Sequence, residues 1–264
     1  MSVKPLRERL AFHKPNVAWA SIESVLPFAA GIGVAFALQL FAPELLGAYW
    51  GKVALDVGIA IILAVSLNIV NGLAGQFSLG HAGFMLIGGY GAAYATYYGS
   101  IALWGSPAVY GGFMGGGDML FLAACLWGGF LAALAGVAVG LPSLRLRGDY
   151  LAIVTLGFGE IMRVLVQRSE SVLSVKEIAQ QKENMVSLTD NLGGALGFSG
   201  LPNYTRLFYV YLFVAVLLVV AYRMKTSRHG RALLAVRENE VAAEAMGVNT
   251  TRAKVTAFVF GAFF

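Results

Sequence analysis

Apolar stretches recur along this chain at lengths set by a lipid bilayer. An α-helix rises about 1.5 Å per residue, so about 20 apolar residues are needed to cross a hydrocarbon core of about 30 Å. Runs at residues 25–42, 53–70, 119–141, 150–166 and 207–222 are of that order. A weaker run begins around 78–83 and ends near 98, and another opens at 254. None alternates apolar with polar residues, as membrane β-strands must. Hydrophobic residues make up 58% of the chain and charged ones only 12%, about half the charged share of a soluble domain. The expected fold class is all-α: a polytopic helical membrane protein, a single transmembrane domain over 1–264, with six spans and the start of a seventh. The first run has no convincing cleavage site and is expected to remain as an anchor. The last run reaches Phe264 after too few residues to span, so the chain is expected to be C-terminally incomplete.

Lysine and arginine give the orientation. The tail carries Lys4, Arg7, Arg9 and Lys14, the segment 142–149 carries Arg145 and Arg147, and the segment 223–252 carries Arg223, Lys225, Arg228, Arg231, Arg237 and Arg252. The alternate segments are poor in them, with Lys52 alone in 43–52 and none in 99–118. In 167–206 the four basic residues are cancelled by Glu170, Glu177, Glu183 and Asp190. A cytoplasmic N-terminus puts every basic loop inside, 223–252 in the cytoplasm and 167–206 outside. The net charge of +5 and pI near 9.3 thus mark topology, and nucleic-acid binding is not expected. The single cysteine, Cys125, lies in an apolar run and rules out a disulfide framework.

One segment breaks the apolar pattern. Residues 71–90 read NGLAGQFSLGHAGFMLIGGY, with Asn71, Gln76, Ser78 and His81 among six glycines. The apolar run after it, 83–98, is about 24 Å long as a helix, short of the core. Ser78–His81 is therefore expected at membrane depth. Polar or irregular backbone is tolerated there only inside protein or along a water-filled path.

Other polar residues divide between chemistry and packing. Glu160 lies about 16 Å into its run, counting from Asp149, with Arg163 one turn on. Such a pair either marks a pathway or locks the bundle internally, with Arg163 snorkelling outward. Asp56 reads as an interfacial carboxylate. Ala124, Gly128, Ala132, Gly136 and Gly140 form a small-residue stripe that serves helix packing. His81 has no second His or Cys nearby to make a metal site. Gly51-Lys52 is followed by Val53, so no phosphate-binding loop is present, and no hydrolase motif appears. The chain is expected to be no enzyme and to need no cofactor.

The basic segment HGRALLAVRENEVAAEAMGVNTTRAK is rich in helix formers from Arg231 to Met246. It predicts one helix of about 24 Å, bracketed by Gly230 and by Gly247 as C-cap. Leu233, Val236 and Val241 are expected to form its apolar ridge, opposite Arg237, Glu238, Glu240 and Glu244.

Three stretches together resemble the larger of the two permease types of bacterial branched-chain amino acid ABC importers. They are NGLAGQFSLGHAGFMLIGGYGAA, RLRGDYLAIVTLGFGEIMRVL and GRALLAVRENEVAAEAMGVNTTRAK, and SLTDNLGGALGFSGLP is a weaker match to an outer loop. The likeness covers roughly residues 53–264. It implies a multi-pass protein of the bacterial inner membrane that pairs with a second permease subunit as a heterodimer. Two ATP-binding cassette subunits would supply hydrolysis, and a periplasmic binding protein would deliver the substrate. It implies that Arg237, Glu238, Glu240, Glu244 and Gly247 couple to an ATPase, and that Asn68, Asn71, Gln76, Ser78 and His81 border the translocation path; Glu160 joins these path candidates by its depth in the span alone. The insertion at 169–187 is longer than the resemblance predicts. Two alternatives remain: a urea importer permease, and an ion-coupled secondary transporter using Glu160 and His81 as proton sites.

Overall fold

The computed structural model describes residues 17–143, 149–173, 178 and 191–264. Every regular element among them is helical. The long helix α1, Val17–Asn68, is two arms joined at Gly47, whose φ of 69° and ψ of 177° are not helical. It runs into a π-helical turn at Ile69–Leu73. Then come α2 (His81–Trp104), α3 (Gly116–Ser143), α4 (Asp149–Gln167), a 3-10 turn at Gly194–Leu196, α5 (Leu207–Thr226), α6 (Arg228–Glu238), α7 (Glu240–Ala245) and α8 (Thr250–Phe263). Among the described residues, four helical stretches are long and apolar enough to cross a membrane: Tyr49–Leu73, Gly116–Leu141, Tyr150–Gln167 and Leu207–Thr226. The run expected at 25–42 forms a shorter apolar helix, Leu26–Phe41.

The third run is corrected. α2 has 24 residues, about 36 Å as a helix, because it does not end near Tyr98 as expected. Ser100 satisfies its hydroxyl on the Tyr97 carbonyl (2.8 Å), Ile101–Trp104 extends the apolar helix, and Gly105 ends it with a left-handed cap. A short third span therefore cannot be what draws Ser78–His81 into the membrane. The glycine-rich loop expected over 99–118 shrinks accordingly to 105–115.

Small residues set the helix spacing, as in other membrane bundles. A Cβ on Gly128 would strike the Gly88 carbonyl oxygen of α2, and one on Gly136 would crowd Ala262 of α8. The stripe on α3 thus serves two neighbours. On α1, Gly31 and Gly58 admit Ala215 and Val210 of α5. Two buried clusters form the core. Ile69, Leu73 and Ala74 join Leu217, Leu233 and Ala257 in one, while Val70 joins Phe84, Leu151 and Phe258 in the other. Both clusters take residues from the π turn or its edge, so the break in α1 lies between them.

Opposite α6 and α7, the glycine-rich loop is pinned by Asp118 and Tyr204. Asp118 Oδ2 accepts from the Met114 amide (2.9 Å) and the Tyr209 hydroxyl (2.7 Å). The Tyr204 hydroxyl accepts from the Tyr110 amide and donates to the Ala108 carbonyl. The described parts of 167–206 hang from α2 through Tyr97 to the Leu173 carbonyl and Tyr98 to the Asn191 carbonyl. Most of the 169–187 insertion, and Arg145 and Arg147, lie outside the described residues.

Candidate functional site

The break begins where α1 widens. Ala74 N–H bonds the Ile69 carbonyl (3.3 Å) and Gln76 N–H the Val70 carbonyl (3.2 Å), so the regular i to i−4 ladder stops. π turns inside helices occur frequently at functional positions. Gly75 follows at φ +66°, a conformation that costs a non-glycine residue about 1–2 kcal/mol. Asn71 Oδ1 then accepts from the Ser78 amide (3.2 Å), closing the loop. Gln76 Nε2 donates to the Ala74 carbonyl (3.3 Å). Ser78 is buried, and Asn68 stands beside Gly72 at the loop's entry.

The loop reaches into the bundle. Leu79 N–H donates to Thr155 Oγ1 (3.1 Å), and Gly80 lies so close to the Thr155 carbonyl that a Cβ could not fit. Thr155 is six residues beyond Asp149, about 9 Å along α4. That contact, rather than a short third helix, holds the Leu79–Gly80 backbone against α4 at that depth, while the Leu79 side chain stays 49% exposed. α2 starts at His81, whose Nε2 lies 2.8 Å from Ser66 Oγ on α1. The Ser66 hydroxyl also lies 3.0 Å from the Leu63 carbonyl. The bond ties α1 to α2 across the break. Ser66 and Thr155 were not singled out from the sequence; lone hydroxyls within apolar runs were their only signal.

Asn68, Asn71, Gln76, Ser78 and His81 thus share one locality. Glu160 does not join them through its side chain. Its neighbour Gly159 abuts Gly80 and Gly83, but Glu160 projects from an exposed face of α4, where its carboxylate receives Arg163 Nε (3.0 Å) and Nη2. His81 also lines a cavity of about 370 Å³ between α1, α2, α3, α5 and α8. Phe84, Cys125 and Phe213 contribute to its largely apolar wall, and Tyr209 lines it as well.

The basic segment is a helical pair, not the single helix expected over 231–246. Asn239 takes extended angles (φ −157°, ψ 107°) and caps α7 by accepting from the Ala242 amide (3.0 Å). Asparagine is among the strongest N-caps, and its side chain competes with helical backbone. Ser227 and Asn249 cap α6 and α8 in the same way. Gly247 does serve as the C-terminal glycine: its amide bonds the Glu244 carbonyl, and the Val248 amide bonds that of Ala243, the paired closure of a Schellman motif. The apolar ridge is corrected by the break at Asn239. Leu233 and Val236 are buried, but Val241 is 66% exposed and Met246 84%.

The predicted coupling residues part ways. Glu240 Oε1 accepts from Lys254 Nζ (2.7 Å), and Lys254 is only 3% exposed. Glu240 is therefore held by its own chain. Glu244 is exposed, and Glu238 faces solvent while accepting two bonds from Arg237. Arg237 also turns inward. Its Nη1 donates to the Gly72 carbonyl (2.9 Å), and its stem occupies the space beside Gly75 that a Cβ would need. The basic helical pair is in this way bonded directly to the break. Among the described residues no group of three or more His, Cys, Asp or Glu is placed to hold a metal.

The family model described as branched-chain amino acid transport system / permease component matches residues 49–264, most of the chain. The chain belongs to this family. It is 34% identical over 281 residues to the high-affinity branched-chain amino acid transport system permease protein LivM of Escherichia coli, covering 97% of this chain and 61% of that protein. It is 36% identical over 224 residues to the protein of the same name from Salmonella typhimurium, covering 78% of this chain and 48% of that one. The chain thus spans about half to three-fifths of the length of these curated relatives. No solved structure matches it. The family is one of permease components rather than enzymes, and the four long apolar helices agree with that membership.

Proposed function

We propose that this family member is a pore subunit of an ATP-driven importer that passes branched-chain amino acids delivered by an extracytoplasmic binding protein. The bond from Arg237 to the Gly72 carbonyl carries the reading. It gives a helical pair with an exposed apolar tip a direct mechanical hold on the irregular segment that follows the π turn. In the proposed topology the N-terminus and 223–252 are cytoplasmic, 167–206 is extracytoplasmic, and the spans are six with the start of a seventh. A separate ATPase subunit docks on α7 through Val241, Glu244 and Met246. Closure of two such ATPases on ATP pushes α7 and α6. Arg237 passes the movement to residues 72–75, and the polar groups from Asn68 to His81 shift between two arrangements with different access. Differential affinity of those arrangements for ATP-bound partners drives the cycle.

Glu240 has a different task. Paired with Lys254, it fixes α7 to α8 so that the docking tip and the following helix move together. The test is co-purification. Val241→Asp and Met246→Asp, both at exposed positions, are expected to release the ATPase subunits while the chain stays folded in the membrane. Full retention of the ATPases by both variants would refute the docking assignment.

A further inference from the structure

We infer that the carboxylate of Asp118 and the hydroxyl of Tyr209 form a latch. It holds the loop tip at 111–115 shut over one end of the cavity between α1, α2, α3, α5 and α8, and its release admits the amino acid. The inference rests on the importer reading, which places this loop outside and supplies the substrate.

The tip lies on the cavity wall. Phe113 at its centre stacks with Tyr209, ring centroids 6.2 Å apart and planes 20° apart, and the Arg206 guanidinium is 5.8 Å from the same ring. Tyr209 lines the cavity, and so does Phe121, whose ring is 6.1 Å from that of Tyr209. The tip is also built to pivot. Its base is fixed, because the Tyr204 hydroxyl accepts from the Tyr110 amide and donates to the Ala108 carbonyl. Its neck is two glycines: a Cβ on Gly111 would lie 3.0 Å from the Gly115 Cα, and one on Gly115 2.9 Å from the Gly111 Cα. Lids hinge on a few such residues that absorb the change in φ and ψ.

Two features oppose closure. Met114 stands at φ 60°, and among the described residues it is the one non-glycine with a positive φ. Such strain persists only where the surroundings impose it, and here the imposing bond runs from the Met114 amide to Asp118 Oδ2 (2.9 Å). Asp118 Oδ1, among the described residues, is a buried oxygen with no hydrogen-bond partner, on a residue only 1% exposed. Neither water nor a further stretch of chain reaches that oxygen while the tip stays down. A buried acceptor left unpaired is costly, and lifting the tip wets it. Against both stand the two bonds that Oδ2 receives, from the Met114 amide and from the Tyr209 hydroxyl (2.7 Å). Bonds to a carboxylate are about twice as strong as neutral ones. A closed state held by two strong bonds, and opposed by a strained residue and an orphaned oxygen, opens under a modest push.

The test uses Cys125, which lines the same cavity, in the complete transporter in whole cells. A charged, membrane-impermeant methanethiosulfonate is added from outside, and the rate of Cys125 modification is the difference from a Cys125→Ser transporter. Tyr209→Phe keeps the ring against Phe113 and removes one bond of the latch. Modification is expected to speed up about tenfold or more. Met114→Asn keeps the amide and puts at φ 60° a residue that tolerates the left-handed region. Modification is expected to slow several-fold. Opposite shifts are what a latch predicts and a merely structural role does not. Any other pattern, including equal rates or both variants shifted the same way, overturns the inference. ATP-driven leucine uptake by the unsubstituted transporter is followed in the same cells. With uptake present, a failed pattern sinks the latch and leaves the importer reading standing. With uptake absent, the importer reading itself fails, and the admission step with it.

Discussion

Arg237 on α6 donates to the carbonyl of Gly72 across 2.9 Å, although the two residues are 165 positions apart. One carbonyl freed by the π turn is thus satisfied by a cation from the basic helical pair. The same guanidinium holds Glu238 at the surface. Arg237 is consequently the point where a push on the outer helices reaches the break.

Glu240 and Glu244 are predicted to differ sharply. Glu240→Ala strands the buried ammonium of Lys254, and breaking one side of a buried ion pair costs about 3–5 kcal/mol. Glu244→Ala removes an exposed carboxylate and is expected to stay within about 0.5 kcal/mol of the parent. Thermal unfolding in detergent separates them. Equal melting temperatures would show that the pair with Lys254 does not hold α7 to α8.

Asn239→Ala removes the cap that separates α6 from α7, at a cost of about 1 kcal/mol. The vacated segment EAEVAAEA then favours continuous helix. Spin labels at Arg231→Cys and Glu244→Cys, in a Cys125→Ser chain, are predicted to move apart towards the straight-helix separation of about 20 Å. An unchanged distance would mean that something other than Asn239 turns the chain.

Gly128→Val forces a branched side chain onto the Gly88 backbone of α2. Overpacking of this kind costs about 1–3 kcal/mol, and a lower melting temperature in detergent is the readout. Gly157→Val, at a position with open space around it, is expected to leave the isolated chain's melting temperature unchanged.

The helical class and the four apolar helices long enough to span, among the described residues, were legible because apolar length is a local property of the sequence. Boundaries were less so. The third run was expected to end near Tyr98, yet Ile101–Trp104 carries α2 onward. The EVAAEA helix formers hid the break at Asn239, where a side-chain cap outweighs propensity. Within the site, Asn71 and Ser78 lie seven residues apart, and the polar break itself stood out. Their long-range partners did not. Nothing local in Thr155, Ser66 or Lys254 announces a contact with Leu79, His81 or Glu240, since those contacts arise only when α1, α2, α4 and α8 pack. Glu160 was legible as an anomaly, but not the face of α4 from which it projects.

The most direct measurement is transport stoichiometry in the reconstituted importer with Arg237→Ala. Removing a charged donor from the Gly72 carbonyl forfeits about 1.5–3 kcal/mol, enough to lower coupling about tenfold or more. The predicted result is ATP hydrolysis near the parental rate with leucine moved per ATP reduced to that degree. Parental leucine transport per ATP in this variant would contradict the account, because the break would then be driven without its bond to the helical pair.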